Sequence, residues 1–517
     1  MRFDGTPLLR LYARHRLRRL ASMRADEAQR RELMRLVSRA MGTRFGLEHG
    51  FDGIRGISDF QARVPIRRYE DFWEGWWKDA FPDFGGTTWP GPIPYLAATS
   101  GTTTGRTKYI PVSREMVAAN RRAALDVLCF HLAARPASRV FGGRSFVLGG
   151  STELVEQAPG IRSGDLSGIA AREVPLWAKP WYFPPPELSL IADWDEKVER
   201  LGPLSLEQDI RSVSGTASWM LLFFERLAAL APGRGPGLAG LYPHAELIVH
   251  GGVDFAPYRE RFERLVAGSR AELREVYPAS EGFVAAADRG TGEGLRLLAD
   301  NGLFFEFVPV EELDAPEPRR FWVGNVETGV NYAIVLSSCA GVWAYLLGDT
   351  VRFVERDPPR LLVTGRISWT LSAFGEHLIG EEIERAVSAA SAALGRAVND
   401  YTVGPVHAAE PGALGGHLYV VEFADGVPED DAVAEFARVL DLGLRDLNAD
   451  YRDHRVGRFA IEAPRVAAVP PGTFAAWMRS RGRLGGQNKV PRVLADPAVL
   501  DEIRTFSRPS LSPRDGG

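Results

Sequence analysis

The sequence predicts an α/β protein: a large N-terminal domain of mixed β-sheets flanked by helices, followed by a smaller α+β C-terminal domain. Three observations lead there. From residue 144 to 366, short apolar runs bounded by turn residues alternate with helix-period segments, as layered α/β chains require. The pattern breaks at Arg366–Ser368 and restarts at Ile379. The chain has 517 residues, well beyond one ordinary domain.

Each element follows from its local pattern. Residues 8–42 read as helix. Leu9, Ala13, Leu17 and Leu20 recur at helical spacing among Arg10, Arg14, Arg16, Arg18 and Arg19, which predicts a docked surface helix. Segment 51–80 is rich in aromatic residues and broken by glycine and proline. A polar loop covers 99–108, and Ser113 then opens a helix through Ala134. Met116 stands where a full capping box would have Glu or Gln. Strand 144–150 follows, then helices over 206–212 and 216–231. Strand and turn occupy 246–252, and a helix 259–267. Strands are expected over 272–277 and 302–309, and hairpin-like strands over 331–336 and 342–349. Strand 361–366 closes the large domain, 1–366. In the smaller domain, 367–506, a helix opens at Gly380. Strands 400–403 and 418–423, helix 431–448, and strands 458–461 and 465–469 complete it. Residues 507–517 read as a disordered tail.

Composition excludes several classes of function. The chain is 45% apolar and 25% charged, ordinary for a globular protein. A net charge of -4 and a pI near 6.2 give no general pull toward nucleic acid or anionic membrane. No stretch approaches the ~18 apolar residues of a membrane span. The N-terminus lacks the apolar core of a signal peptide. Cys129 and Cys339 have no metal-like spacing and read as free, buried thiols of a reducing compartment. The nine histidines form no H-x-x-x-H pair, so no zinc site is expected, and no G-x-S-x-G elbow occurs. The expectation is a soluble, cytoplasmic, monomeric protein with no membrane span and no nucleic-acid partner.

The stretch Thr99-Ser-Gly-Thr-Thr-Thr-Gly-Arg-Thr-Lys108-Tyr-Ile-Pro111 carries the most chemistry. Glycines let a backbone approach an anion closely. Hydroxyls donate to phosphate oxygens, and the lysine adds a mobile charge. Thr99, Ser100, Gly101, Thr102, Thr103, Gly105 and Lys108 are therefore candidate anion-binding residues. The spacing is not that of a Walker A loop. Four later segments are weak alone. Val276-Tyr277-Pro-Ala279-Ser280-Glu281 reads as a strand-end turn that offers a carboxylate. Tyr345-Leu-Leu-Gly-Asp349 reads as a turn able to aim a carboxylate at vicinal hydroxyls, such as those of a ribose. Thr364-Gly-Arg366 and Gly375 to Glu384 read as a glutamate-rich helix start. Gly485-Gly-Gln-Asn-Lys489-Val-Pro-Arg492 reads as a loop tip bearing a cation.

Taken together and in order, these segments resemble the adenylate-forming enzymes. The Lys108-Tyr-Ile-Pro111 ending resembles the GH3 acyl-acid amido synthetases in particular. So do Thr43-Arg-Phe-Gly46, His49-Gly-Phe51, Phe60, Val64-Pro-Ile66 and Tyr69-Glu-Asp71. The resemblance spans nearly the whole chain. It departs locally at three consecutive threonines in the loop and at Gln487-Asn488 before the lysine. No acyl- or amine-pocket motif carries over, and Trp219, Phe223 and Phe224 read as core.

The resemblance implies an adenylate-forming domain with a mobile C-terminal lid. It implies ATP and Mg²⁺ as cofactors, and a carboxylic acid and an amine, typically of an amino acid, as substrates. Tyr277, Ala279 and Ser280 would lie along the adenine, and Glu281 would hold the metal. Asp349 would take the ribose, and Arg366, at the hinge, ribose or phosphate. Lys108 and Lys489 would neutralise charge during catalysis. Two alternatives stay open at this point: an acyl-CoA or acyl-carrier ligase, and a nucleotide-binding regulatory protein without catalysis.

Overall fold

The computed structural model describes residues 3–100, 107–149, 154–189, 191, 194–252, 255, 258–313, 315–367, 371, 378–406, 415–448, 451–452, 455, 461–481, 490–494 and 496–506. The expected strand over 458–461 lies mostly outside these residues, and the expected tail over 507–517 wholly so. The chain divides into two units. The first is Met1–Val253 with Glu260–Val363 and Gly485–Gln487. The second is Asp254–Arg259 with Thr364–Leu484 and Asn488–Gly517.

The strands, in chain order, begin with Tyr95–Ser100 (β1), Thr107–Val112 (β2), Arg144–Leu148 (β3), Val155–Ala158 (β4), Ile161–Gly164 (β5) and Tyr182–Phe183 (β6). Ile210–Gly215 (β7), Leu247–Gly251 (β8), Glu272–Ala279 (β9), Gly282–Ala286 (β10), Leu295–Leu297 (β11) and Leu303–Pro309 (β12) follow. Phe321–Trp322 (β13), Asn331–Ser338 (β14), Tyr345–Arg356 (β15) and Pro359–Arg366 (β16) complete the run before the second unit's sheet. Twelve strands form one sheet in the order β13-β12-β14-β15-β16-β11-β10-β9-β8-β7-β3-β6, and a four-stranded sheet runs β2-β1-β5-β4.

The large sheet is mixed, as expected. β6, β3, β7, β8 and β9 pair in parallel. The pairs β9–β10, β10–β11, β12–β14 and β14–β15 are antiparallel. Strands covered on both faces read as continuous apolar runs, and every residue of β12 is buried.

One expectation fails here. Residues 206–212 are not a helix: helix Trp194–Leu206 ends there, and Ile210–Gly215 is a strand. A short buried run has no period that separates helix from strand. Ladders to β3 on one edge and β8 on the other decide the case.

The N-terminal pattern is realised as helices Thr6–Ser22 and Ala25–Ala40. Leu9, Ala13 and Leu20 are buried as the spacing predicts. Arg16 is buried with them. It bonds both oxygens of Asp126 at 2.7 Å, and those of Asp300 at 2.7 and 2.8 Å. Burial opposes the charge on both acids. At Asp126 burial wins and pushes the carboxyl up. At Asp300 the Arg16 bonds win and hold it down. Asp126 lies on helix Arg114–Ala134, where the Ser113 hydroxyl caps the start by accepting from the Met116 N–H at 3.0 Å. Both cysteines are free and buried. Among the described residues, no helix is long and apolar enough to cross a membrane.

The second unit is a three-stranded sheet of Val398–Val406 (β17), Gly416–Phe423 (β18) and Arg465–Val469 (β19), with β18 central. Alternate side chains of β18 enter different cores. Tyr419, Val421 and Phe423 pack with helices Gly380–Leu394 and Asp430–Leu447. Val420 packs with helices Thr473–Ser480 and Pro497–Thr505. This is the period of two that places successive residues on opposite faces.

Candidate active site

The polar loop joins a hairpin. β1 and β2 pair with Thr99 opposite Lys108 and Ser100 opposite Thr107. Residues nine apart in sequence are thereby side by side. Gly101, Thr102, Thr103 and Gly105 lie outside the described residues, as does the Ser100 side chain. The Lys108 ammonium sits 3.1 Å from Glu70 Oε1 and 5.0 Å over the Tyr69 ring. The Tyr69 hydroxyl accepts from the Tyr109 N–H at 2.9 Å. Burial pushes the Glu70 carboxyl up, but its own backbone amide and Lys108 outweigh burial and hold it below its ordinary value.

Tyr69 and Glu70 are placed by the chain just before them. Arg67 adds a short edge to the start of β15. Its N–H donates to the Ala344 carbonyl at 3.0 Å, and its carbonyl accepts from the Leu346 N–H at 2.8 Å. Asp71 then accepts from the Arg68 N–H at 2.7 Å and starts the short helix Tyr69–Phe72.

The second and third segments meet through two tyrosines. Ala279 pairs with Gly282, so Ser280 and Glu281 form the two-residue turn between β9 and β10. The turn is nonetheless buried, at 9% and 8% exposure. Glu281 is hydrogen-bonded with the Tyr345 hydroxyl. Burial first, then Glu281, pushes that hydroxyl well above its ordinary value, and Glu70 adds to the effect. The Tyr277 hydroxyl donates to Asp349 Oδ2 at 2.6 Å, across 72 residues of sequence.

A bulge aims Asp349. Along β14 and β15, Leu346 faces Val335 but Thr350 faces Ala333, so extra residues are accommodated at 347–349. Such bulges redirect side chains beside active sites. Gly348 takes φ +92° there, a region closed to most side chains.

Arg366 ends β16 and counts with the second unit. Lys489 lies outside the described residues, but the chain just after it is firmly held within that unit. The Thr402 hydroxyl donates to the Pro491 carbonyl at 2.6 Å. Val403 exchanges backbone bonds with Arg492 and Leu494 at 2.9 and 2.8 Å. The Arg492 guanidinium pairs with Asp400, lies 3.7 Å from Glu384 and stacks 4.5 Å over Tyr401. Tyr258, from the Asp254–Arg259 segment, is buried against it.

Mg²⁺ takes oxygen ligands, and usually one or two carboxylates with substrate phosphates complete its shell. Glu281 fits that need, and Glu70 bears on the same tyrosine hydroxyl. No group of three or more His, Cys, Asp or Glu able to hold a metal occurs among the described residues. Sequence reasoning assigned no part to Glu70 or Tyr345. Both stood inside quoted motifs, Tyr69-Glu-Asp71 and Tyr345-Leu-Leu-Gly-Asp349. Only their partners, distant in sequence, single them out.

The fold, a large mixed α/β unit and a smaller unit built on a three-stranded sheet, has solved counterparts. A GH3.15 acyl acid amido synthetase superposes at TM-score 0.79 over 97% of this chain and 96% of its own, with 18% identity. A 2-hydroxyisobutyryl-CoA ligase in its postadenylation state superposes at 0.62 over 94% of each chain, with 17% identity. Models of the GH3 N-terminal, central and C-terminal domains match residues 14–201, 296–366 and 381–498, more than half of the chain. The chain belongs to the GH3 family. The probable indole-3-acetic acid-amido synthetase GH3.12 of Oryza sativa subsp. japonica is 23% identical over 568 residues, 91% of each protein. Other plant amido synthetases match at 27–32% identity, where the chain spans 34–49% of their length.

Proposed function

We propose that this protein joins a carboxylic acid to an amine, in particular that of an amino acid, through an acyl-adenylate. In the first half-reaction a carboxylate oxygen attacks the α-phosphorus of ATP and pyrophosphate leaves. In the second the amine nitrogen attacks the acyl carbon, AMP departs with the bonding electrons, and the nitrogen loses a proton. One observation carries the reading: the contacts Lys108–Glu70, Glu281–Tyr345 and Tyr277–Asp349 join motifs far apart in sequence, and Glu281 lies in the turn just past the carboxyl end of β9, a strand paired in parallel with β8. Ligands of α/β sheets bind at such ends.

The first step brings like charges together, so electrostatic neutralisation dominates its catalysis. Lys108 and the hydroxyl loop Thr99–Thr103 would face the phosphates, and Lys489 would add a second cation. Mg²⁺, held by Glu281, would supply further charge neutralisation when bound. Asp349 would hold the ribose, Tyr277 to Ser280 would flank the adenine, and Arg366 would contact ribose or phosphate. The Tyr277 hydroxyl, donating to Asp349 Oδ2, would hold that carboxylate in position for the ribose. Asp349→Ala should weaken ATP binding by about 1.5–3 kcal/mol, the worth of a charge-assisted hydrogen bond. Calorimetry giving wild-type affinity in the folded variant would remove Asp349 from the site.

The acceptor is settled by product. With its acid, ATP and all amino acids, mass spectrometry should find an N-acyl amino acid. The rate should rise between about pH 7 and 8.5 as the α-amino group, pKa ~7.7–8.0, loses its proton. Efficient thioester formation with CoA, and no amide, would replace the amine by a thiol.

A further inference from the structure

At the carboxyl ends of β3 and β6, a cavity of about 10 Å³ lies inside the first unit, with room for one water-sized group. Gly149, Ser167, Tyr182 and Lys197 are among its walls. Lys197, on helix Trp194–Leu206, is only 4% exposed, and its ammonium lies 3.5 Å from the Gly149 carbonyl oxygen. Burial drives Lys197 down to about 8, and the charge of Asp165 offsets this only in part. Asp165 is itself pushed up by burial. The Ser167 hydroxyl is enclosed and has no hydrogen-bond partner among the described groups. A buried polar atom left without a partner is costly, and such atoms point to something that completes them.

The cavity stands on the same edge of the sheet as the candidate site. Three strand steps, β9 to β8 to β7 to β3, separate it from the β9 end that carries Glu281. At 4.7–4.9 Å per step, that is roughly 14 Å. An acid with its carboxyl group at the Glu281 end, lying across the strand ends, would bring its far end here. The walls offer donors: an ammonium and two hydroxyls. The Asp165 charge already bears on Lys197, so a second anion there would face a like charge.

We propose that this cavity is the distal end of the acid-binding site, and that the acid carries an uncharged oxygen acceptor, a hydroxyl or a carbonyl, remote from the carboxyl group that is activated. This rests on the acid-activating function proposed above.

The test is acid-dependent pyrophosphate release by the full chain, with acids of matched length ending in methyl, hydroxyl, keto or carboxylate groups. Hydroxyl- and keto-terminated acids should exceed the methyl-terminated ones in kcat/KM by about tenfold or more, because a site built to bond an oxygen rejects the analogue lacking it. Lys197→Met should abolish that preference, and Ser167→Ala, a smaller change at a group bonded to nothing described, should reduce it several-fold. A wild-type preference for methyl or carboxylate ends, or a preference unchanged in both variants, overturns the subsite and leaves the proposed function standing. Pyrophosphate release with no acid of the panel overturns the function, and the subsite with it.

Discussion

Lys108→Met is expected to cut acid-dependent pyrophosphate release by about two to three orders of magnitude, the scale on which one preorganised charge-stabilising donor acts. The same change should barely alter stability. Lys108 is partly exposed and pairs with a half-exposed Glu70, and exposed pairs contribute only about 0–1 kcal/mol. The lysine sits opposite Thr99 at the mouth of the hairpin loop, braced by Tyr69 and Glu70. It is held ready at a charged site and holds up little of the fold. Rapid-quench measurement of pyrophosphate, with thermal unfolding of the same sample, separates the two effects. Wild-type release in a folded Lys108→Met protein would show that the phosphates do not meet this lysine.

Arg492→Met is expected to do the reverse and destabilise the second unit by about 3–5 kcal/mol, the cost of leaving buried partners without their counter-charge. The Arg492 side chain is 9% exposed and Glu384 5%. Burial works against the guanidinium, but Asp400, Tyr258 and Glu384 outweigh it and hold its charge firmly. Arg492→Lys should rescue little, because an ammonium cannot stack flat on Tyr401 while also bonding Asp400 and the Tyr401 carbonyl. Hydrogen exchange across β17 and β18 reads the result. Unchanged protection would mean that the three-stranded sheet stands without this cluster.

The sequence carried the architecture wherever a residue's role is local. Leu9, Ala13 and Leu20 declared a docked helix, and Ser113 declared its neighbour's start. Ser280-Glu281 is legible as a turn and is one, in a two-residue hairpin, whereas Gly348-Asp349, expected as a turn, lies in a bulge inside β15. What stayed hidden depends on topology. Tyr277 and Asp349 meet only because β9 and β15 belong to one sheet whose order no local pattern states. Glu70 needs Lys108, and Tyr345 needs Glu281. Each pair spans dozens of residues, and each partner alone reads as an ordinary surface acid or core tyrosine. Arg16 reads in the sequence as one more basic surface residue, but the buried Asp126 and the partly buried Asp300 both bond it. The strand at Ile210–Gly215 was misread because a short run buried in a parallel ladder has no period of its own. The buried lysine at the ends of β3 and β6 left no motif at all, since its partners Asp165 and Gly149 come from separate segments.

The most direct measurement is isotope exchange between pyrophosphate and ATP, run with the full chain over a panel of carboxylic acids. Reversible adenylate formation makes exchange depend on one or more of those acids, in the absence of any amine, and Asp349→Ala should lower its apparent affinity for ATP. A nucleotide binder without catalysis gives no exchange with any acid while still binding ATP, and that result would contradict the assignment of this site to acyl-adenylate chemistry.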